Sequence, residues 1–228
     1  MTNPNELLDA LYGGSATFAD GRPIGNVHSV INRSFADALA QFVKKESPKI
    51  VIEIGMAQGA SSLSILSTLP ANARLISIDP FQHTDYQGIG KSLVDQSSKS
   101  SQHELIEKPN FIALPDLLTK GMAADFVYID GMHTFDYVAL DAFYADKLIR
   151  PGGVIAFNDC GFRSVHKFLR YFNKHRHYEE IDVGLKPDHR GANPLITLVR
   201  TIEGRSNQDR YFRKIDTWEP EHNYFKNF

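Results

Sequence analysis

A single cysteine, Cys160, stands among the 228 residues, so no intramolecular disulfide can form and no CxxC or Cys/His spacing offers a structural zinc site. A reducing compartment, the cytoplasm, is the expected setting. Charge bias is missing as well: 25 lysines and arginines meet 27 acids for a formal net charge of -2, so the electrostatic footprint of a dedicated nucleic-acid binder is absent. No run of about 18 apolar residues occurs, and no membrane span is expected. The segment from Met1 to Asp20 carries Asn, Pro, Glu and Asp where a secretory signal needs a basic head and an apolar run, so export is not expected either. Internal repeats are lacking, and the serine-rich stretch 95–102 reads as a helix end or loop.

What is present is an ordinary soluble composition, 42% hydrophobic and 23% charged, long enough for one sizeable α/β core. Apolar spacing predicts a helix over 30–45 and a short strand at 50–54 that is nearly all apolar and hence buried on both faces. A glycine-containing turn and a helix over 60–69 come next, then a strand at 74–78 that ends at Asp79 and Pro80. Further on, the pattern predicts a helix over 90–107, a strand at 111–114, a helix over 115–120, a strand at 125–129, a helix over 135–147 and a strand at 154–157. An amphipathic helix over 164–174 and last strands at 178–183 and 195–200 complete the expectation. Residues 1–47 read as an N-terminal loop and helical extension, 48–201 as the core and 202–228 as an irregular tail. Buried apolar strands alternating with helices imply a mostly parallel, doubly wound sheet, whose ligands sit at the carboxyl ends of the strands.

Two segments carry chemistry. In Val51-Ile-Glu53-Ile-Gly55-Met-Ala57-Gln-Gly59-Ala-Ser61-Ser62, glycines let backbone approach a ligand between a strand and a helix. A dinucleotide fingerprint would bring a pyrophosphate to that turn. Glu53, two residues before the first glycine, would repel a diphosphate and suits a ligand bearing an ammonium or sulfonium charge. Asp79, at the tip of the next strand, is placed to accept both hydroxyls of a ribose. Taken singly, Glu53 could equally be a salt-bridge acid and Asp79 a turn former.

The second segment runs Phe126-Val-Tyr-Ile-Asp130-Gly-Met-His133 and is followed by Leu148-Ile-Arg-Pro-Gly-Gly-Val-Ile-Ala-Phe-Asn-Asp159-Cys160. With these motifs the chain resembles, over about 48–200, a class I S-adenosylmethionine-dependent methyltransferase, and in particular the small-molecule O-methyltransferases of the catechol and macrolide-sugar branches. The resemblance implies a Rossmann-like seven-stranded sheet of order 3-2-1-4-5-7-6 with the last strand antiparallel. It implies cofactor contacts at Glu53, Gly55, Ala57, Gly59, Ser61, Asp79, Phe81, Leu114 and Asp130. In the catechol-type pattern, acids ending the fourth and fifth strands hold magnesium; Asp130 and Asp159 fall there, with Cys160 standing where an asparagine ligand would be. A thiol is a poor ligand for magnesium. His133, three residues after the first acid, is the expected general base, because its ordinary pKa of roughly 6.5 lets it accept a hydroxyl proton near neutrality.

The expected function is therefore S-adenosylmethionine-dependent methylation of a small hydroxylated acceptor, catalysed by His133 and Asp130, with magnesium as an optional cofactor. The alternative is a methyltransferase-like module that binds a nucleoside or a partner without chemistry, and Cys160 keeps it open. An NAD-dependent oxidoreductase is disfavoured by Glu53. Neither nucleic acid nor membrane is an expected partner, and homo-oligomerisation stays open.

Overall fold

Three parallel strands organise residues 1–116 of the computed structural model, which describes residues 1–25 and 27–228. Here α1 (Pro4–Tyr12) and α2 (Arg33–Glu46) precede β1 (Ile50–Ile54), α3 (Ala60–Thr68), β2 (Arg74–Ile78), α4 (Ile89–Gln96) and β3 (His103–Ile106), and α5 (Asn110–Thr119) begins. β2 pairs with β1 on one side and β3 on the other. Four consecutive buried residues in β1 and in β2 mark strands covered on both faces. α3 is buried from Ala60 to Leu66, serines included. Two of its hydroxyls reach α2: Ser64 Oγ donates to the Ala36 carbonyl and Thr68 Oγ1 to Ala40 O at 2.8 Å.

Residues 117–228 hold β4 (Ala124–Ile129), α6 (Phe135–Leu148), β5 (Ile149–Phe157), α7 (Arg163–His175), β6 (Tyr178–Ile181), α8 (Pro194–Glu203) and β7 (Arg210–Lys214). β4 and β5 are parallel, and β7 lies antiparallel between β5 and β6. α7 presents Val165, Phe168, Leu169 and Phe172 at helical spacing to the core. There Phe157, Phe168, Phe172 and Phe212 pack with ring centroids 5.5 to 5.9 Å apart. The strand order of the sheet is β3-β2-β1-β4-β5-β7-β6, the order that the resemblance implies.

Four local expectations are corrected. The third strand is 103–106, inside the stretch expected as helix, and 110–119 is one helix with Pro115 in its interior rather than a strand and then a helix. Ala113, Leu114 and Leu117 are buried, a helical spacing, so α5 packs one face inward. Residues 195–200 belong to a helix, not a strand. The segment expected as an irregular tail contributes β7, with Tyr211 and Phe212 both fully buried. Among the described residues no helix is long and apolar enough to cross a membrane.

Candidate active site

The turn after β1 runs through left-handed backbone at Gly55, Ala57 and Gly59 (φ 88°, 45° and 87°) before entering α3. A Cβ on Gly59 would meet Gly90 Cα at 3.0 Å, and one on Gly90 would meet Ala57 O at 2.5 Å. The first turn of α4 thus rests directly on the glycine turn, which only two facing glycines permit.

Asp79, at the end of β2, closes this assembly. Its Oδ2 accepts from the N–H groups of Met56 (3.0 Å) and Ala57 (2.7 Å) and from Gln82 Nε2 (3.2 Å), while Oδ1 accepts from Phe81 N–H (2.8 Å). Asp79 is 2% exposed. Gln82, fully buried, also donates to Ala57 O (2.6 Å) and accepts from Lys91 N–H (3.1 Å), tying the turn to α4.

Glu53, in β1, is fully buried. Its Oε2 accepts from the hydroxyls of Ser62 and Ser77, and His103 Nε2 lies 2.9 Å from Ser77 Oγ. Since Ser77 gives its proton to the carboxylate, the His103 ring nitrogen is the donor in that contact. Burial pushes the His103 imidazole down to about 4. Glu53 Oε2 thus ends a buried chain of hydrogen bonds that runs from His103 through Ser77.

Gly55, Ala57, Gly59 and Ser61 line the turn and the first turn of α3, with Ser61 itself buried, and Phe81 is exposed beyond Asp79. Leu114 is fully buried inside α5, so it sits in a helix and not at the end of a strand. Beside the turn lies a polar cavity of about 330 Å³ whose lining includes Arg22, His28, Gln58, Asp85 and Gln87. The His28 N–H donates to Gln58 Oε1 at 2.7 Å, fastening the N-terminal loop there.

In residues 117–228 the ends of β4 and β5 bring Asp130, His133 and Asp159 together, with one ligand-capable atom of each within 4.8 Å of the others. His133 Nε2 lies 3.4 Å from Asp130 Oδ1 and 3.6 Å from Asp159 Oδ2. Burial pushes Asp130 up to about 6, opposed by His133, and burial likewise raises Asp159. Burial disfavours the His133 imidazolium, but the two carboxylates outweigh it and the net direction is upward. Phe162 stacks on the His133 ring, centroids 5.3 Å apart, and is itself 52% exposed. Ser164 Oγ donates to the His133 carbonyl, which fixes the chain after the histidine.

Asp159 sits in left-handed backbone (φ 53°), and the next turn of chain is braced from outside. Arg205 Nη1 donates to Gly161 O at 3.0 Å, and a Cβ on Gly161 would fall 1.9 Å from Asn207 Oδ1, so the loop before β7 packs flush against the Asp159 loop. Beneath, Asp209 accepts from Tyr128 OH and Asn158 Nδ2, both at 2.8 Å, and burial raises its carboxyl well above the usual carboxylate range. Cys160 is buried, with its thiol donating to Phe157 O at 3.2 Å, and makes no part of the cluster.

Sequence reasoning found Asp130, His133 and Asp159 but not Tyr128, Asn158 and Asp209, because a buried network reaching from β4 to a residue 81 positions away leaves no local pattern. Gln82 carried no signal either, being one polar residue in a polar loop.

Residues 52–160 match a family described as a methyltransferase domain. Among solved structures, the chain is similar to the O-methyltransferase TomG from Streptomyces achromogenes, involved in tomaymycin synthesis and in complex with SAM (15% identity, 94% of this chain and 90% of that one, TM-score 0.68). It is also similar to the O-methyltransferase from Bacillus cereus in complex with SAH (15%, 93% and 90%, TM-score 0.66) and to a methyltransferase from Geobacter sulfurreducens (12%, 82% and 81%, TM-score 0.61). No curated protein sequence matches the chain.

Proposed function

We propose that the chain is an S-adenosylmethionine-dependent enzyme that methylates a hydroxyl group of a small molecule, a reading supported by the match of residues 52–160 to a methyltransferase domain. The observation that carries this reading is the convergence of Asp130, His133 and Asp159 at two strand ends. Bound S-adenosylmethionine supplies an activated methyl group, so the protein need only align the acceptor and take its proton. His133 is proposed to take that proton at Nε2, and the flanking carboxylates of Asp130 and Asp159 stabilise the imidazolium that results. The half-exposed Phe162 gives the acceptor an apolar surface against the His133 ring.

On the cofactor side, the polar cavity beside the glycine turn has ligand-sized volume. Asp79 Oδ1, which takes the Phe81 N–H, has a further lone pair with which to accept a ribose hydroxyl. Glu53 is assigned to holding the turn through Ser62 and Ser77 rather than to touching the cofactor.

The donor set also fits a divalent cation: two carboxylate oxygens suit magnesium or manganese and the imidazole suits the later transition metals. Asp130, His133 and Asp159 would hold such an ion in place of a proton at His133, and the ion would then lower the acceptor hydroxyl's pKa itself.

Isothermal titration with S-adenosylmethionine, followed by turnover to S-adenosylhomocysteine with phenols, catechols and sugar hydroxyls, tests the proposal. The expected result is cofactor binding and turnover with at least one acceptor class. In His133→Ala, turnover falls about 10²–10⁴-fold while cofactor affinity holds. Binding without turnover across the panel, and no effect of His133→Ala on the chain's activity, would favour a non-catalytic binding module instead.

A further inference from the structure

α8 is built inside out. Its least exposed positions are polar, Thr197 and Arg200. Thr197 Oγ1 accepts the Gly191 N–H at 2.9 Å, and Arg200 Nη1 donates to Arg190 O and to Asn207 Oδ1. The opposite face carries Leu195, Leu198, Val199 and Ile202, exposed by 69%, 56%, 37% and 77%. These positions keep the i, i+3, i+4, i+7 spacing of a helix–helix seam. A helix ordinarily turns such a stripe to its own core; this one turns it to solvent and anchors itself by its polar side.

We propose that this stripe is the seam at which two copies of the chain pair, α8 against α8 of the second copy, antiparallel about a two-fold axis between Leu198 and Val199. Four side chains so exposed form a patch on the order of 300 Å², the scale at which apolar surface marks an interaction site. A stable interface needs roughly 800 Å² from each partner, an apolar centre with a polar rim. Thr201 and Glu203, exposed on α8 at the two borders of the stripe, begin that rim.

Charge selects the occupant. An interfacial membrane helix carries lysine or arginine flanking its apolar face, to meet anionic headgroups. The one cation of α8, Arg200, is instead turned inward onto Arg190 O and Asn207. At the border of the stripe the charged residue is Glu203, already engaged by Arg205 at 3.0 Å, so no like charges oppose each other when the stripe meets itself. Antiparallel pairing also sets the two helix dipoles head to tail, the favourable arrangement.

Sedimentation equilibrium of the full chain tests the proposal. The wild type is expected to be dimeric at micromolar concentration. Leu198→Glu should weaken the dimer roughly hundredfold, as for a charge placed in the centre of an apolar interface, with an unchanged circular dichroism spectrum. Phe143→Glu, at a 48% exposed aromatic on α6, should leave the dimer intact.

Geometry is read by oxidative cross-linking, for which the buried Cys160 gives a silent background. In an antiparallel pair Leu198→Cys lies beside its mate, whereas Ile202→Cys is displaced from its own by roughly 10 Å along the axis, beyond disulfide reach. Only Leu198→Cys should cross-link to itself. A wild type that stays monomeric at 100-fold higher concentration, a Leu198→Glu variant that dimerises normally, or equal cross-linking of both cysteine variants overturns the proposal. So does flotation of the wild type, but not of Leu198→Glu, with phosphatidylglycerol vesicles, which would assign the stripe to a lipid surface.

Discussion

Replacing Asp79 by asparagine should loosen the glycine turn before it alters any contact with a ligand. The carboxylate takes the Met56 and Ala57 N–H groups on one oxygen and the Phe81 N–H on the other. Asparagine keeps one acceptor oxygen. If that oxygen stays on Phe81, its amide NH₂ faces two backbone donors, and both lose their partner in a place only 2% exposed. Each buried donor left unpaired costs about 1–3 kcal/mol, so a loss near ~3 kcal/mol is expected. For a chain of this length that corresponds to a fall in Tm of roughly 6–12 °C. Differential scanning calorimetry without cofactor reads it directly, and a repeat with S-adenosylmethionine separates the two roles proposed for the residue. A variant melting within about 2 °C of the wild type would show that the carboxylate does not clasp the turn.

Further expectations concern the buried groups around the two clusters. Because burial holds His103 at about 4 against an ordinary 6.5, the unfolded chain binds a proton that the folded chain refuses between those values. Stability is therefore complete above pH 6.5 and declines toward pH 4, by ~2–3 kcal/mol after allowance for residual solvent contact, and urea titrations of His103→Gln should lose this slope. Asp209→Ala, which strands the Tyr128 hydroxyl and the Asn158 amide, should destabilise by about 2–4 kcal/mol. Asp209→Asn should cost less than half of that by the same urea assay, since burial already disfavours the charge. If the three-residue cluster holds a divalent ion, EDTA should abolish turnover and added magnesium or manganese should restore it, while Asp159→Asn raises the metal concentration needed at least tenfold. Undiminished turnover after exhaustive chelation leaves His133 acting without metal.

Much of the architecture was legible because buried parallel strands write themselves as short apolar runs. β1, β2 and β4 fall where such runs end in Glu53-Ile-Gly55, Asp79-Pro80 and Asp130-Gly131. α5 misled because Pro115 argues against a helix interior, yet burial of Ala113, Leu114 and Leu117 on one face outweighs that local preference. α8 was readable as a helix from its ends. Asn193 caps Ile196 N–H at 2.9 Å, Pro194 opens the first turn and Gly204 closes at φ 65°, but the apolar run between them suggested a strand.

β7 was hidden by its charges. Arg213 donates to Gly152 O and Lys214 reaches Asp146, partners more than 60 residues away that a linear reading cannot supply. At the site, Asp130, His133 and Asp159 were visible because they come directly after strands. That Asp79 and Glu53 are engaged by the protein's own backbone and hydroxyls emerges only from three-dimensional packing.

The absence of a side chain at position 161 has a mechanical corollary. Asn207, which would collide with any Cβ there, also receives the Arg200 guanidinium of α8 at 3.0 Å. A single methyl group added by Gly161→Ala would thus wedge apart two loops at once, tilting the peptide that carries Asp159 and slackening the tether of a helix that shows its oily side to water. In any substitution of the loop that carries Asp159, this one hydrogen atom has to stay.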